Sequence, residues 1–420
     1  MKRPRGPIKL VHIVTSPTTA WSFLRGQLRF MRERGMDVTV IASPGRALDD
    51  VGASEGVNTI AVPMPRNPSP VHHSVALLRL VRILRQLRPD IVHSATPQAS
   101  FLGGVAAWTA GVPVRVMTLH GIGTEAVAGR SRPLFHRLEQ LSCGAAQRIY
   151  CVGDSLRTQA LSLKLATPDK LRVLAGGTCN GIDVARFSPT PAVQRRSESL
   201  RDHLKLQPNA PVIGFVGRLV RFKGVADLIA AFKLLKPQFP GLTLLLVGPN
   251  EKYEQLGSGI SAEISQDSQI APTGFLEDTP AVYPLMNVLA LPSYREGYGY
   301  VLMEAAAMGV PTIATRITGC VDAVVDGQTG TLVPPGNVEA LAGALRTYLS
   351  DAELCRRHGR AGQERVIRDF QPEPIWEALY DEYMELLEQH GAANAAGMQM
   401  TNALEPVMPS PAMHSEVRSN

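Results

Sequence analysis

Val288-Leu289-Ala290-Leu291-Pro292-Ser293-Tyr294-Arg295-Glu296-Gly297-Tyr298-Gly299-Tyr300-Val301-Leu302-Met303-Glu304-Ala305 is the stretch from which the architecture is read. Four apolar residues form a strand, a turn with glycines at 297 and 299 follows, and a helical pattern opens near Gly299. A strand that runs through a glycine turn into a helix is half of a βαβ unit on a parallel sheet. Gly297 and Gly299 let the backbone approach a ligand, and the new helix offers free N–H groups to phosphate oxygens. Glu296 lies on the loop and Glu304 one to two turns into the helix. Carboxylates repel phosphate, so the two acids are read as acceptors for sugar hydroxyls, ribose for one and hexose for the other. The plainer alternative makes Glu304 an exposed helix acid and Glu296 a capping residue.

The same grammar extends in both directions. Lys9–Val14, Asp37–Ala42, 59–62, 91–94, 114–118, 148–152 and 171–174 read as strands separated by helical stretches. The pattern pauses over 183–210, rich in Pro, Ser and Arg, and resumes at Val212–Val216, 242–247, Val288–Leu291, 311–314 and 331–333. Two α/β domains joined by a linker are expected: residues 1–183, a linker 184–210, residues 211–369, a helix over 370–390 and a disordered tail 391–420. Ligands of open parallel sheets bind beyond the carboxyl ends of the strands, so motifs should sit just after strands. One does so after Val212–Val216, where Gly217-Arg218-Leu219-Val220-Arg221-Phe222-Lys223-Gly224 leads into a helix. Arg218 and Lys223 there flank a helix N-terminus, an arrangement suited to a diphosphate, although a solvated basic turn has the same composition.

The bulk properties fit this picture. The chain has 420 residues, 45% apolar and 19% charged, and a net charge of +6. That charge is divided: residues 1–200 carry 26 Lys and Arg against 12 Asp and Glu, a balance of +14, and the remainder carries −8. The first half is thus expected to meet something anionic. Arg79, Arg82, Arg85 and Arg88 on one helical pattern, and Arg25, Arg29, Arg32 and Arg34 on an earlier one, make two basic faces read either as ordinary solvated surfaces or as docking sites for anionic lipid. Five cysteines without a CxxC pair suggest neither a disulfide framework nor a zinc site. No signal peptide is read, and the weakly charged stretch 101–119 is broken by Gly103, Gly104, Gly111 and Pro113, which favours a buried helix and strand over a membrane span.

Taken in order, Gly217-Arg218-Leu219 with Lys223-Gly224, Glu296 and Glu304 with seven residues between them, and the stretches Thr315 to Gly319 and Gly327 to Pro335 resemble glycosyltransferase family 4 over roughly residues 8–388. The resemblance implies the α/β GT-B architecture, two Rossmann-like parallel-sheet domains facing a central cleft. It also implies a retaining glycosyltransferase that uses a nucleoside-diphosphate sugar without a metal or other cofactor. Arg218 and Lys223 would hold the donor diphosphate, Glu304 the ribose and Glu296 the transferred sugar. Gly297, Tyr298 and Gly299 would lend backbone N–H groups, and the loop Thr273 to Glu277 would lie beside the base. His120, in Met117-Thr118-Leu119-His120-Gly121, resembles the family's His-Gly site at the reacting carbon.

This sequence departs from the family at its first loop. Thr15-Ser16-Pro17-Thr18-Thr19 replaces the frequent Gly-Gly, which leaves Ser16, Thr18 and Thr19 as hydroxyl donors on the acceptor side and resembles the branch that builds capsule, exopolysaccharide and lipid-linked glycans. The expected partners are a UDP-sugar and a saccharide or lipid-linked saccharide, with no nucleic acid. The expected location is the cytoplasm, with peripheral contact at the inner face of the membrane. Two alternatives keep the fold: a nucleotide-sugar epimerase and a transferase acting on a small soluble acceptor.

Overall fold

A computed structural model of the chain describes residues 6–64, 70–127, 129–249, 256, 258–276 and 278–403, with the backbone alone over 392–403. Thirteen strands form two wholly parallel sheets. The first contains β1 (Lys9–Val14), β2 (Asp37–Ala42), β3 (Asn58–Ala61), β4 (Ile91–Ala95), β5 (Val114–Leu119), β6 (Arg148–Cys151) and β7 (Leu171–Arg172), in the order β3-β2-β1-β4-β5-β6-β7. The second contains β8 (Val212–Val216), β9 (Thr243–Val247), β10 (Ile270–Gly274), β11 (Val288–Leu291), β12 (Thr312–Thr315) and β13 (Gly330–Val333), in the order β10-β9-β8-β11-β12-β13. Strands covered on both faces read as continuous apolar runs, and Leu244, Leu245 and Leu246 are fully buried.

Each sheet reverses its winding once, between β1 and β4 and between β8 and β11. Loops that leave the two strands flanking such a reversal diverge, and the gap between them is where open α/β sheets bind ligands. The loop carrying Arg218 and Lys223 leaves β8, and the loop carrying Glu296 leaves β11. Ser16, Thr18 and Thr19 follow β1, across from the loop after β4.

Several expectations change. The stretch 184–210 is not structureless: it holds the helix Pro191–His203, whose Thr190 hydroxyl accepts the Val193 N–H at 3.3 Å with Pro191 in the first turn. Few of its residues are apolar, which is why the period was missed. Strand β10 was not among the expected strands: Pro272 and Gly274 interrupt its apolar pattern, and at a sheet edge proline is tolerated. The last helix runs from Pro372 to Ala403 rather than ending near 390; the alanine-rich sequence after Gly391 has high helix propensity, and residues 404–420 lie outside the described residues. The stretch 101–119 divides into the end of the helix Pro97–Thr109 and β5, and among the described residues no helix is long and apolar enough to cross a membrane.

That last helix crosses back to the first sheet. Tyr383 is fully buried, with its hydroxyl 2.5 Å from His93 Nδ1, and His93 Nε2 lies 2.7 Å from Thr118 Oγ1. Burial holds His93 far below its usual pKa and lowers His12, stacked beside it at 4.9 Å, to about 4, so the pair is neutral. Trp376 Nε1 donates to Asn180 Oδ1 at 2.6 Å and Arg34 pairs with Glu377 at 2.8 Å.

The two sheets also meet directly. Ser155 donates its N–H to Asp322 Oδ1 at 3.1 Å and its hydroxyl to Oδ2 at 2.5 Å, and its Oγ accepts the Gly319 N–H at 2.9 Å. Beside this contact Tyr298, 2% exposed, wedges its ring against Gly153, Gly177 and Phe370, and its buried hydroxyl has no hydrogen-bond partner among the described residues. An unpaired buried hydroxyl costs about 1–3 kcal/mol. Tyr298→Phe should therefore leave the melting temperature unchanged or raise it; a loss above about 1 kcal/mol in denaturant titration would show that the hydroxyl is paired in solution.

Candidate functional site

The loop after β8 is shaped by two glycines with positive φ. Gly217 lies against Gly248, where a Cβ on Gly248 would strike the Gly217 carbonyl, and Gly224, at φ 71°, packs on the carbonyl of Pro292 in the loop after β11. Larger residues would push the two loops apart. The loops bring Arg218, Lys223 and Arg295 around one aromatic ring: the guanidinium carbons of Arg218 and Arg295 lie 5.6 and 4.7 Å from the Phe222 centroid, and Lys223 Nζ lies 6.0 Å away. Three cations converge on the switch point of the second sheet.

Glu296 is held within this cluster. Its Oε1 accepts Lys223 Nζ at 2.5 Å and Ser293 Oγ at 2.6 Å; both bonds fall on one oxygen, so Oε2 keeps its acceptor capacity. Ser293 is itself fixed, because its carbonyl accepts the Thr315 hydroxyl. Gly299 takes φ 68° and opens the helix Tyr300–Ala307, leaving the first N–H groups of that helix without intrahelical partners.

Glu304 stands apart from the cation cluster. Its Oε2 accepts the Tyr283 hydroxyl at 2.5 Å, and burial raises its pKa to about 7 against the pull of that bond and of Arg186. It lines a cavity of about 490 Å³ with Phe23, Arg25, Arg186, Tyr300 and Trp376. The carboxyl is therefore neither the exposed helix acid of the plainer alternative nor part of the cluster of Arg218, Lys223 and Arg295.

His120 ends β5 beside the Phe23 ring at 5.2 Å, and desolvation lowers its pKa to about 4, so it is neutral at pH 7. The backbones meet here as well: a Cβ on Gly297 would strike the His120 carbonyl, and one on Gly319 would strike the Gly297 carbonyl. The histidine motif and the Glu296 loop, 176 positions apart in sequence, are thus in contact. On the first loop Ser16 Oγ and Thr18 Oγ1 bond each other at 2.7 Å, and Thr15 Oγ1 bonds Thr96 Oγ1 at 2.7 Å, tying the loops after β1 and β4 together. Among the described residues no group of three or more His, Cys, Asp or Glu side chains is placed to hold a metal ion.

Sequence reasoning missed Thr96, Ser293, Arg295, Phe222 and Tyr283. Thr96 has φ 77°, rare for a β-branched residue, at the switch point of the first sheet. Its place before Pro97 was the one available signal. Arg295 adjoins Glu296, but only the fold shows that it shares a ring with Arg218. The loop Thr273 to Glu277 was expected to hold the base: Thr273 and Gly274 end β10, Phe275 is 74% exposed, and Glu277 lies outside the described residues.

The comparisons with known proteins agree with one another. The family described as Glycosyltransferase Family 4 matches residues 20–186, and that described as Glycosyl transferases group 1 matches residues 196–365. The chain is 31% identical over 383 residues to the capsular polysaccharide biosynthesis glycosyltransferase CapM of Staphylococcus aureus, covering 91% of this chain and 98% of that one. It is 23% identical to the UDP-Gal:alpha-D-GlcNAc-diphosphoundecaprenol alpha-1,3-galactosyltransferase of Escherichia coli, over 92% and 99% of the two chains. Among solved structures, Anabaena Alr3699/HepE in complex with UDP and glucose superposes with a TM-score of 0.76 at 19% identity, over 90% of this chain and 100% of that one, a likeness of fold. With two parallel-sheet domains in contact at the loops after β5 and β11 and a relative of this identity along nearly its whole length, the chain belongs to glycosyltransferase family 4 and is a glycosyltransferase of the GT-B fold.

Proposed function

We propose that the protein is a retaining transferase moving a hexose from a UDP-sugar to a lipid-linked saccharide in the assembly of a cell-surface polysaccharide. The observation that carries this reading is the convergence of Arg218, Lys223 and Arg295 at the β8/β11 switch point, with a carboxylate oxygen of Glu296 beside them. The names of the capsular and diphosphoundecaprenol-directed relatives support the acceptor class.

In this reading the donor diphosphate lies between Arg218, Lys223 and the N-terminus of the helix Tyr300–Ala307, contacted by N–H groups from Gly297, Tyr298 and Gly299. Cleavage of the bond from the sugar's anomeric carbon to the β-phosphate oxygen leaves negative charge on that phosphate, and fixed cations stabilise it most where water is excluded. The acceptor hydroxyl attacks from the same face, forms the new bond to the anomeric carbon and passes its proton to the departing phosphate oxygen. Glu296 holds sugar hydroxyls through Oε2, and neutral His120 hydrogen-bonds the sugar from the other domain. Glu304 accepts the ribose hydroxyls, and the exposed Phe275 ring offers a face to the base. Ser16, Thr18 and Thr19 line the acceptor side.

The basic faces separate in this reading. Arg29 bonds the Ser54 carbonyl, Arg32 the Gly56 carbonyl and Arg34 pairs with Glu377, so three of the four arginines of the earlier set brace neighbouring segments, whereas in the second set Arg85 alone bonds a carbonyl, that of Thr109, among the described residues. Arg79, Arg82, Arg85 and Arg88 are exposed on or just after the helix Pro70–Leu87, next to the exposed Val71, Val75 and Leu78. We assign this second face to peripheral contact with anionic lipid.

Three outcomes test these assignments. Arg218→Ala and Lys223→Ala should each lower sugar transfer by about 10² to 10³ in kcat/KM; activity within twofold of wild type in both would sink the diphosphate assignment. Glu304 must be ionised to accept two hydroxyls, and its folded pKa of about 7 is above the ordinary 4.5. Binding should therefore strengthen as pH rises through 7, with calorimetry giving UDP-glucose about tenfold tighter at pH 8 than at pH 6. Glu304→Gln should flatten that slope, and parallel slopes in the two proteins would remove Glu304 from the ribose site. Finally, the full chain should sediment with phosphatidylglycerol vesicles at low salt and release as salt rises, each arginine contributing about 1 kcal/mol. Failure to sediment at low salt would remove the membrane from the account.

A further inference from the structure

A cavity of about 320 Å³ lies at the carboxyl ends of β4 and β5, within the volume range of small-ligand pockets, and His120 is part of its wall. Its surface is nearly all carbon, supplied by Phe101 and Leu102 from the helix Pro97–Thr109, Met117 and Leu119 from β5, and Phe135 and Leu138 from the helix Arg132–Ala145.

The polar side chains around it are mostly spent on one another. Glu139 accepts the Gly123 and Thr124 N–H groups at 2.8 and 3.2 Å and the Thr124 hydroxyl at 2.6 Å. Ser142 donates to the Leu138 carbonyl at 2.9 Å, and His73 Nε2 lies 2.7 Å from Gln98 Nε2. Ser100 Oγ, on a residue 2% exposed, is the one wall hydroxyl that is buried without a partner among the described residues.

A saccharide lodged here would face carbon with most of its hydroxyls, each losing its water without a replacement bond, at about 1–3 kcal/mol apiece. Carbon-walled cavities of this kind stay dry and take apolar guests. At one end of the wall the apolar character continues outward, where the exposed Leu134 precedes Phe135 on the helix Arg132–Ala145. Arg132 opens that helix one turn before Phe135 and lies in a neighbouring hollow that shares Thr124 with the cavity; it and Arg130 are exposed there and match a phosphate charge.

We propose that the cavity beside His120 is a binding site for an aliphatic chain, with its phosphate at the arginine rim, carried by the acceptor close to its accepting sugar. This rests on the acceptor class proposed above and adds to it a built site in the first domain. The saccharide then lies in the cleft while its chain is anchored a side chain away from the reaction centre.

Monoalkyl phosphates of four to twelve carbons, below their micelle concentrations, test this by calorimetry on the full chain, with inorganic phosphate as the chainless control. Affinity should rise by about fourfold per methylene until the cavity is filled and then level off. Leu138→Trp, which fills the cavity, should bring the plateau to a shorter chain and weaken the longer members at least tenfold. Affinity independent of chain length in wild type, or a folded Leu138→Trp with the wild-type series, overturns the proposal; if that variant does not fold, the wild-type series decides alone. UDP-glucose titrated into the same wild-type samples reports the donor reading separately, so loss of one leaves the other standing.

Discussion

Across the cleft the two domains touch through backbone where no side chain fits. The His120 carbonyl lies where a Cβ of Gly297 would be, and within the second domain the Gly297 carbonyl lies where a Cβ of Gly319 would be. Gly224 and Gly248 do the same for the loops within the second domain. The first of these approaches sets the distance between the histidine after β5 and the carboxylate after β11. A methyl group on Gly297 would push the loops after β5 and β11 apart.

Around that frame, charge is placed by local bonds. Lys223 and Ser293 both bind Oε1 of Glu296, which fixes the carboxylate and keeps its other oxygen available. Glu304 is buried, bonded to Tyr283 and poised near pH 7, so its environment separates it from Glu296 although the two lie eight residues apart. Arg295 joins Arg218 at the Phe222 ring because two loops from adjacent strands leave a reversal of sheet order.

The first domain distributes its excess positive charge between structure and surface. Arginines of the helix Gln27–Glu33 and its end brace neighbouring turns and the returning last helix, whereas those of Pro70–Leu87 face outward beside apolar residues. The returning helix, joined by Tyr383 to His93, makes the C-terminal segment part of the first domain's core.

The sequence by itself determined the two parallel sheets, most strands to within two residues, and the motifs after β8 and β11, because buried strands are short apolar runs and their glycine turns leave a local record. It also carried the family, through motifs whose order survives divergence. It did not show the helix Pro191–His203, where polar residues hide the period, or the true extent of the last helix. Only the tertiary structure decided that Lys223 pairs with Glu296, that Glu304 bonds Tyr283, that Arg34 reaches Glu377 on the last helix, and that a largely apolar cavity adjoins His120. Each of these is a contact between residues distant along the chain or a consequence of burial, and local residue patterns encode neither.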